Sequence, residues 1–514
     1  MSDLPNGWLA VKLEDVAIWS SGGTPSRSKP DYYAGNIPWF KTGELGPRTL
    51  MASEEHISEE AVNSSSAKVF PKGAVALAMY GATIGKTSIF GIDAATNQAC
   101  AVGIPDAISS EFLYYFLVSQ EKGFTDAGKG GAQPNISQGI VKAWPLLLPP
   151  RAEQTRIVAK LEELLSDLDA GVAELKAAQK KLKQYRQSLL KAAIEGALTA
   201  EWRQHNPPAE TGAALLARIL QERRARWESK QLAKFAEQGK TPPKDWQKKY
   251  PEPVQPDTTG LPELPQGWVW ASIEQIASNG KYSLAIGPFG SNLTVPDYRD
   301  SGVPLIFVRN IRSGRYGDGY TKYVTEEKAK ELCAHSVQAG DVLITKMGEP
   351  PGDADVYPEN QPVAIITADC IKVRCWVGLI RPEFLKAVIN SYIGKKQIEP
   401  ITQGVAQKKV SLGRFTGLAV PVAPIEEQDK MISLFSAANT DVAVQEAAIN
   451  LAIKQSTAQR KNILKAAFSG RLVPQDPNDE PASGLLERIR AEREQDQRSQ
   501  SRRTRRSAAS GACP

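Results

Sequence analysis

The chain has 514 residues, a formal net charge of +6 and five cysteines. Its length permits two or three domains with proper cores, and no stretch approaches the run of about 20 apolar residues that a membrane helix needs. The N-terminal residues lack the basic start and apolar core of a signal peptide, and the cysteines do not form a disulfide framework. We therefore expect a cytoplasmic protein with reduced thiols.

The chain opens with a motif that returns near its middle. The sequence Leu-Pro-x-Gly-Trp begins at Leu4 and again at Leu264, and Leu-Lys-Ala-Ala-x-x-Gly ends at Gly196 and again at Gly470. Such a long repeat predicts one supersecondary plan used twice, with approximate two-fold symmetry. We call these repeated motifs the anchors of the repeat. The segments between the anchors have little sequence in common. The repeat therefore indicates either a shared frame that carries two different contact surfaces or an old duplication that drifted.

Each half begins as a mixed α/β module. In residues 1–150, short apolar runs such as 74–79 alternate with turns rich in Gly, Pro, Asn and Ser. A helix is predicted at 110–120, with a serine cap and an acidic first turn. Its counterpart is predicted at 382–392, because proline suits the first helical position.

Two long helices follow the modules, at about 152–198 and 425–467. Apolar residues recur in both at the 3-4 spacing of a heptad seam. One such stripe can pack on a globular body, but two equal stripes favour an antiparallel intramolecular coiled coil, because each then buries the other. The predicted seam residues are Leu161, Leu165, Leu168, Val172, Leu175, Leu182, Leu189, Ile432, Phe435, Val442, Ile449, Ile453 and Ile463.

The predicted fold class is α+β, with two pseudo-symmetric mixed α/β modules joined by two long antiparallel coiled-coil helices. Between the halves we predict a basic helix followed by a semi-rigid Pro-rich linker, and at the end a charged, Arg-rich, flexible tail. The predicted boundaries are 1–150 for the first module, 151–204 for the first helix, 205–263 for the basic helix and linker, 264–423 for the second module, 424–474 for the second helix and 475–514 for the tail.

The sequence provides no complete catalytic motif. The turn at 81–87 resembles a P-loop, but three residues separate its glycines where four are needed. The Asn-Pro-Pro sequence at 206–208 lacks the aromatic residue of adenine methyltransferases, and Cys370 and Cys375 lack the further ligands of a zinc site. We therefore predict no catalytic, cofactor-binding or metal-binding residues. Basic residues cluster on two helices and at the C-terminus. The clusters indicate either a polyanionic partner or a solvated helix face, and for the C-terminal cluster a disordered tail is favoured.

Several motifs occur in a fixed order. After the opening Leu-Pro-x-Gly-Trp come Gly-x-x-x-Gly-Lys at 81–86, Gln-Pro-Asn-Ile-Ser at 133–137, Pro-Pro-Arg-Ala-Glu-Gln at 149–154 and the Leu-Lys-Ala-Ala-x-x-Gly helix end. In this order the motifs resemble the specificity subunit of type I restriction–modification systems, over nearly the whole chain. The second half departs from the pattern, because Gly-Glu-Pro-Pro-Gly stands at 348–352 and Gln-Lys-Lys-Val-Ser at 407–411.

The resemblance implies that each module is a target recognition domain that reads one half of a split, asymmetric double-stranded DNA site. It implies that the helices set the spacing and bind two methyltransferase subunits, which methylate adenine with S-adenosylmethionine. Motor-nuclease subunits, which use ATP and Mg, join the complex for cleavage in that family. This chain is accordingly expected to be a non-catalytic recognition subunit that binds no cofactor itself.

The residues around the Gly-rich segments are the predicted DNA contacts. Loops at 128–133 and 403–409 are expected to bring backbone close to a phosphate. Glutamine is expected to pair with adenine and arginine with guanine, whereas lysine supplies phosphate contacts. The predicted DNA-binding residues are Lys41, Tyr80, Lys86, Lys129, Gln133, Arg309, Arg312, Lys346, Gln407, Lys408 and Lys409.

Two other classes of function stay open. A self-contained DNA methyltransferase or nuclease needs a cofactor pocket that the sequence does not show. A coiled-coil adaptor binds proteins only, and retention of the two modules on DNA without partners counts against it.

Overall fold

The structure is a computed structural model that describes residues 4–128, 134–317, 319–404 and 408–495. It contains two compact units. Unit 1 consists of Met1–Ala177 with Ile449–Pro514, and unit 2 consists of Ala178–Ala448. Each unit therefore combines residues from both halves of the sequence.

The first module, in unit 1, contains a five-stranded sheet, a four-stranded sheet and a two-stranded sheet. Its strands are β1 Leu9–Lys12, β2 Ala17–Ser21, β3 Ile37–Phe40, β4 Thr49–Leu50, β5 Glu55–Ile57, β6 Val69–Phe70, β7 Val75–Ala78, β8 Thr87–Phe90, β9 Ala94–Thr96, β10 Cys100–Pro105 and β11 Pro145–Leu148. Its helices are α1 Leu13–Val16, α2 Glu59–Asn63, α3 Ser110–Ser119, α4 Glu121–Ala127 and α5 Gln138–Lys142. The strand orders are β2-β10-β7-β8-β4, β5-β3-β9-β6 and β1-β11.

Strand β7 shows why the sequence of this module contains short, continuous apolar runs. It is buried on both faces, because successive side chains of a strand point to opposite sides. Val75 and Leu77 pack into the core that contains α3, whereas Ala76 and Ala78 pack into a second core on the other face. The helix predicted at 110–120 is confirmed as α3, which Ser109 caps by accepting a hydrogen bond from the Phe112 amide.

Three helices follow in chain order, and the second module comes after them in unit 2. The helices are α6 Arg151–Ile194, α7 Ala200–His205 and α8 Gly212–Glu237. The strands of the second module are β12 Val269–Ser272, β13 Leu284–Ile286, β14 Val303–Ile306, β15 Tyr323–Val324, β16 Ser336–Val337, β17 Val342–Thr345, β18 Ala354–Val356, β19 Ala364–Ile366, β20 Cys370–Val373, β21 Thr402–Gln403, β22 Lys409–Val410 and β23 Ala419–Val422. Its helices are α9 Ile273–Ile276, α10 Val308–Ser313, α11 Glu326–Glu331, α12 Pro382–Asn390, α13 Tyr392–Ile401 and α14 Leu412–Phe415.

The second module repeats the sheet plan of the first. Its two four-stranded sheets have the orders β13-β20-β17-β18 and β15-β14-β19-β16. In both modules the first and last strands pair antiparallel, so the module closes on itself. Leu9 lies opposite Leu148 in the β1-β11 pair, and Val269 lies opposite Val422 in the β12-β23 pair.

The last long helix, α15 Ile425–Ala467, runs antiparallel to α6 within each unit. In unit 1, Asp169 of α6 pairs with Arg460 of α15, and in unit 2, Arg186 pairs with Glu446. The partner's number falls as the α6 number rises, which is the pattern of an antiparallel pair. The predicted fold class is therefore confirmed. The predicted seam residues are buried or half-buried throughout, and Leu161, Leu165, Leu189 and Val442 are buried.

The repeat anchors contact each other, and each contact joins the two sequence halves. In unit 1, a Cβ built on Gly470 would lie 2.6 Å from Cγ of Pro5 and 3.3 Å from Cζ2 of Trp8. In unit 2, a Cβ on Gly196 would lie 2.6 Å from Cγ of Pro265. Both glycines also have positive φ, +71° at Gly196 and +69° at Gly470. Glycine is therefore required at both helix ends for backbone conformation and for space.

The prediction of a flexible tail from residue 475 is wrong for its described part. Residues 482–495 form a further helix, α16. Its apolar residues Ala482, Leu486 and Ile489 lie in the core of unit 1. Helix α8 makes the equivalent contact in unit 2, because Leu215, Leu216 and Ile219 lie in that core.

The anchoring bonds of these two helices also match. The amide of Ala482 donates to the Gly7 carbonyl at 2.9 Å, and the amide of Gly212 donates to the Gly267 carbonyl at 2.7 Å. The start of the predicted spacer at 205–263 is thus part of unit 2. Within the described ranges, no helix combines the length and apolar character needed to cross a bilayer.

Candidate nucleic-acid interface

The central strand of the first module, β7, ends in a tight loop that covers residues 79–86, here called loop 1. The Gly81 amide donates to the Pro134 carbonyl at 2.8 Å, and the Gly85 amide donates to the Ala78 carbonyl at 3.0 Å. Gly85 has φ +87°, and a Cβ on it would lie 2.9 Å from Cγ of Glu121. The backbone therefore fixes the loop, and the side chains on it are free to differ.

The second module builds the same loop at 346–353, here called loop 2. The Gly348 amide donates to the Lys408 carbonyl at 3.3 Å, and the Gly352 amide donates to the Thr345 carbonyl at 2.8 Å. Gly352 again has a positive φ, +92°. The second half departs from the Gly-x-x-x-Gly-Lys motif in its side chains and keeps its backbone. Both glycines and their amide hydrogen bonds are kept, and Asp353 stands in the place of Lys86.

In the first module, two predicted contacts lie on loop 1. Tyr80 is 47% exposed and forms an isolated bridge with Asn135, and Lys86 is exposed. Lys41 follows β3, and its Nζ donates to Oε2 of Glu54 at 3.1 Å and to Oε1 of Glu55 at 3.0 Å. Tyr80 and Lys86 are thus available to a ligand, whereas the charge of Lys41 is already paired.

In the second module, three predicted lysines lie on or beside loop 2. Lys346 is buried, donates from Nζ to the Ala368 carbonyl at 3.1 Å, and has Nζ 4.6 Å from the ring centroid of Phe289. Burial lowers the pKa of Lys346, and neighbouring Asp369 opposes that shift. Exposed Lys408 and Lys409 stand on the adjoining segment.

These lysines are in different states of pairing. Lys408 pairs with Glu349 at 3.3 Å, and both side chains are well exposed. Lys409 forms an isolated bridge with Met347, the counterpart of the bridge between Tyr80 and Asn135. Phe289 is 57% exposed beside Lys346. Loop 2 thus presents cationic and aromatic groups together, which suits a phosphate and a base or sugar face.

Arg312 holds loop 2 in place. Its Nε donates to Oδ2 of Asp353 at 2.8 Å, and its Nη2 donates to the Pro350 carbonyl at 2.8 Å. Lys395 donates to Oδ1 of Asp353 at 2.8 Å. Burial opposes ionisation of Asp353, but the bonds from Lys395 and Arg312 outweigh it and lower the pKa of that carboxyl. Arg312 therefore positions the loop.

Arg309 lies on the same helix, α10, in a different setting. Its Nε donates to the Tyr320 carbonyl at 3.1 Å, and its guanidinium lies 4.5 Å from the ring centroid of Phe307. Its side chain is exposed. The assignment of Arg309 and the lysines to DNA stays a prediction.

Three predicted contacts, Lys129, Gln133 and Gln407, lie outside the described residues. Sequence reasoning missed Phe289, Asp353 and Lys395. The repeat itself contained a signal for Asp353, because aligning Gly352 with Gly85 places Asp353 opposite Lys86. Phe289 and Lys395 are distant in sequence and gave no such signal.

Among the described residues, no group of three or more His, Cys, Asp or Glu side chains is arranged to hold a metal ion. Cys370 and Cys375 are buried free thiols, and burial raises the pKa of Cys370 to about 12. The fold thus defines a two-module protein that presents two equivalent strand-end loops with different side chains. This arrangement suits a protein whose two loops contact a polyanionic ligand at two separate places.

Comparison with known proteins agrees with this class. Residues 5–180 match the model of the type I restriction modification DNA specificity domain. The chain is 24% identical over 511 residues to the type I restriction enzyme EcoDI specificity subunit of Escherichia coli, covering 95% of this chain and 96% of that one. It is 30% identical over 164 residues to the MjaIX specificity subunit of Methanocaldococcus jannaschii, covering 31% of this chain and 38% of that one.

A solved structure supports the fold. A chain from a study of complex assembly and conformational transition in the type I R-M system superposes with a TM-score of 0.66 and 16% identity, over 92% of this chain and 100% of that one. Residues 5–180 are therefore similar to the type I restriction modification DNA specificity domain. Over nearly its whole length, the chain resembles the specificity subunits of type I restriction enzymes.

Proposed function

We propose that this chain is the DNA sequence-specificity subunit of a type I restriction–modification complex and reads a bipartite, asymmetric site. One observation carries the proposal: the same glycine-fixed loop is built twice, with Lys86 in loop 1 and Asp353 in the matching place of loop 2. A common backbone with different side chains suits two readers of two different sequences. The match of residues 5–180 to a DNA specificity domain supports this role.

The proposal includes the partners that such a chain needs. Two methyltransferase subunits bind along the α6–α15 helix pair and methylate adenine with S-adenosylmethionine. Motor-nuclease subunits, which use ATP and Mg, join for cleavage in the cytoplasm. The chain itself contributes recognition and no catalytic group. Lengthening α6 and α15 by equal heptads is expected to change the number of base pairs between the two half-sites. An unchanged number would contradict the proposal that these helices set the spacing.

Single-molecule sequencing of N6-methyladenine tests the proposal directly. Cells that express the partner subunits are compared with and without this chain. A split motif that vanishes on deletion of the chain is the expected result, and it reveals both half-sites. If no motif is lost while the partners are shown to be expressed, the specificity role is wrong.

The enzyme alternative is tested on the purified chain alone. Equilibrium binding of labelled S-adenosylmethionine is expected to be undetectable, because the cofactor belongs to the partner. Saturable binding at one site per chain would instead favour a self-contained methyltransferase. Retention of the isolated chain on duplex DNA separates the specificity role from a protein-only adaptor.

The different roles of Arg312 and Lys409 predict different salt behaviour. Replacing Lys409 by alanine is expected to reduce the salt slope of DNA binding by about 0.9, the value for one lost phosphate contact. Replacing Arg312 by alanine is expected to lower affinity for the mapped site about 10-fold, because loop 2 loses its clamp, with little change of slope. Fluorescence anisotropy at several salt concentrations measures both, and equal slopes in the two variants would contradict these roles.

A further inference from the structure

Helices α8 and α16 are each fastened to the neighbouring module by an arginine. In unit 1, Nη1 of Arg493 donates to the Glu14 carbonyl at 3.0 Å. In unit 2, Nη1 of Arg223 donates to the Glu274 carbonyl at 2.7 Å. These two carbonyls occupy the same place in α1 and α9, so the two arginines are equivalent residues of the repeat.

The place beside these arginines is occupied by different residues in the two units. In unit 1, the Arg493 guanidinium also binds the Asp106 carboxylate, from Nε at 2.7 Å and from Nη2 at 2.9 Å. The Asp106 amide donates to the carbonyl of Val16, the last residue of α1, and the Trp376 amide donates to that of Ile276, the last residue of α9. Unit 2 therefore has an indole, Trp376, where unit 1 has a carboxylate.

The charge of Arg223 consequently has no carboxylate partner in the part of unit 2 that the structure describes. Its guanidinium donates to the main-chain carbonyls of Glu274 and Gln275. Burial lowers the pKa of Arg223, and the nearby Tyr250 and Glu274 oppose that shift. Unit 2 thus leaves uncompensated a positive charge that unit 1 neutralises with its own aspartate.

An open pocket of about 480 Å³ lies beside Trp376, between α8 and the second module. Helix α8 lines it with Arg226, Ser229 and Lys230, and the module lines it with Asn279 and Trp376 among others. The Arg226 guanidinium lies 5.1 Å from the ring centroid of Trp376. The described residues that line the pocket include no aspartate or glutamate. The pocket therefore combines two cations with hydroxyl and amide groups, which suits an anion with several oxygen atoms.

The cations of the pocket belong to a longer row on α8. Arg226, Lys230 and Lys234 follow one another at intervals of four residues, so they lie on one face of the helix. Arg226 pairs with Glu222, whereas exposed Lys230 and Lys234 form no ion pair with any residue that the structure describes. Like charges at this spacing repel each other. The row is about 12 Å long, a length that suits a chain of phosphates better than one small anion.

We propose that the pocket binds a phosphate of the DNA backbone, with Arg226 and Lys230 as the cations that hold it. The proposal rests on the proposed function and adds that unit 2 contacts DNA through α8 as well as through loop 2. Contacts of this kind position a protein on DNA without reading its sequence. Unit 1 is expected to lack the contact, because Asp106 already neutralises the equivalent arginine.

The first test removes one cation from the pocket. Replacing Lys230 by glutamine keeps the length of the side chain and is expected to reduce the salt slope of DNA binding by about 0.9. If the wild-type and variant lines meet at about 1 M salt, the affinity at about 0.1 M salt falls about 8-fold. Fluorescence anisotropy of the chain in complex with its methyltransferase subunits measures both. The loss is expected to be equal on the mapped site and on a duplex with one altered half-site.

The second test supplies the pocket with the carboxylate of unit 1. Replacing Trp376 by aspartate copies Asp106 and is expected to reduce the salt slope by a similar amount, because the added charge competes with the phosphate. Replacing Trp376 by asparagine is the matched control, since it removes the indole without adding a charge, and it is expected to keep the wild-type slope. An equal fall in both Trp376 variants would overturn the account by charge.

The remaining outcomes separate this proposal from the proposed function. Wild-type slopes in both Lys230→Gln and Trp376→Asp, with folding shown by circular dichroism, would overturn the pocket proposal and leave the proposed function intact. A wild-type complex with no preference for the mapped site would overturn both. Loss of a methyltransferase copy from Lys230→Gln in native mass spectrometry, at an unchanged salt slope, would assign the pocket to an acidic protein surface and overturn the proposal as stated.

Discussion

Replacing Glu427 by alanine is expected to destabilise unit 2 by about 3–5 kcal/mol, the cost of removing one partner from a buried ion pair. The buried Glu427 carboxylate accepts from the Trp268 indole at 2.9 Å, from Thr199 at 2.6 Å and from Nε of Arg203 at 2.8 Å. The Arg203 side chain is only 21% exposed, so water cannot replace the lost partner fully. Urea unfolding, together with hydrogen exchange of the Trp268 segment, measures the loss.

The equivalent residue of unit 1, Glu153, provides the matched comparison. Its Oε2 accepts from the Trp8 indole at 2.9 Å, but its Oε1 is buried without a partner among the described residues. Replacing Glu153 by alanine is expected to cost about 1–3 kcal/mol, because one buried donor is left unpaired but no buried guanidinium is stranded. A larger loss at Glu153 than at Glu427 would show that the charged partner is not what sets the difference.

The pH dependence of unit 1 follows from the same carboxyl. Burial raises the pKa of Glu153, and the Trp8 hydrogen bond opposes the shift. A carboxyl whose folded pKa lies above its unfolded value stabilises the fold fully below the unfolded pKa, and that contribution is lost as pH rises through the folded pKa. Replacing Glu153 by glutamine is therefore expected to flatten the fall in stability of unit 1 above the ordinary glutamate range. Thermal unfolding across pH checks this, and an unchanged profile would contradict it.

The anchors of the repeat predicted the fold because each of them makes a specific hydrogen bond or packing contact, and the same contact occurs once in each unit. Trp8 donates to Glu153 and Trp268 to Glu427, each in the first turn of the long helix that follows the same module. The prolines before the tryptophans pack on Gly470 and Gly196. A motif that must supply both an indole hydrogen bond and a proline–glycine contact tolerates few substitutions, so it remains recognisable in both halves of the sequence. The sequence did not reveal that the two proline–glycine contacts join one half to the other, because a repeat shows which segments correspond and not which ones touch.

The errors of sequence reasoning have physical causes as well. The tail was judged by its charge, although Ala482, Leu486 and Ile489 repeat the apolar spacing of α8. The second half was set apart from the first by its different residues at 348–352, although backbone amides and carbonyls make the bonds that define loop 2. Structure that is fixed by apolar spacing or by backbone hydrogen bonds is missed when a segment is assessed by its charged side chains alone. The candidate site is less predictable than the fold, because the loops keep their shape while the residues that face a ligand change.

Transplanting the first module into the second position is expected to have the largest effect on function. The ends of each module meet in an antiparallel strand pair, Leu9 opposite Leu148 and Val269 opposite Val422. Residues 269–422 can therefore be replaced by residues 9–148 without moving Trp268 or Glu427, which tie the module to the helices. Because the module ends pair in the same antiparallel way in the two units, we expect the chimera to fold.

The chimera is expected to read the same half-sequence at both ends of its methylated motif, whereas wild type reads two different ones. Single-molecule mapping of N6-methyladenine in cells with the partner subunits gives this result directly. The matched control inserts residues 269–422 in place of residues 9–148, and it is expected to double the other half-sequence. If both chimeras fold and bind the partners but keep the wild-type motif, sequence reading does not reside in these modules. If each chimera doubles its own half, loops 1 and 2 each lie within an independent reader, and the assignment of each half-site follows from which sequence is doubled.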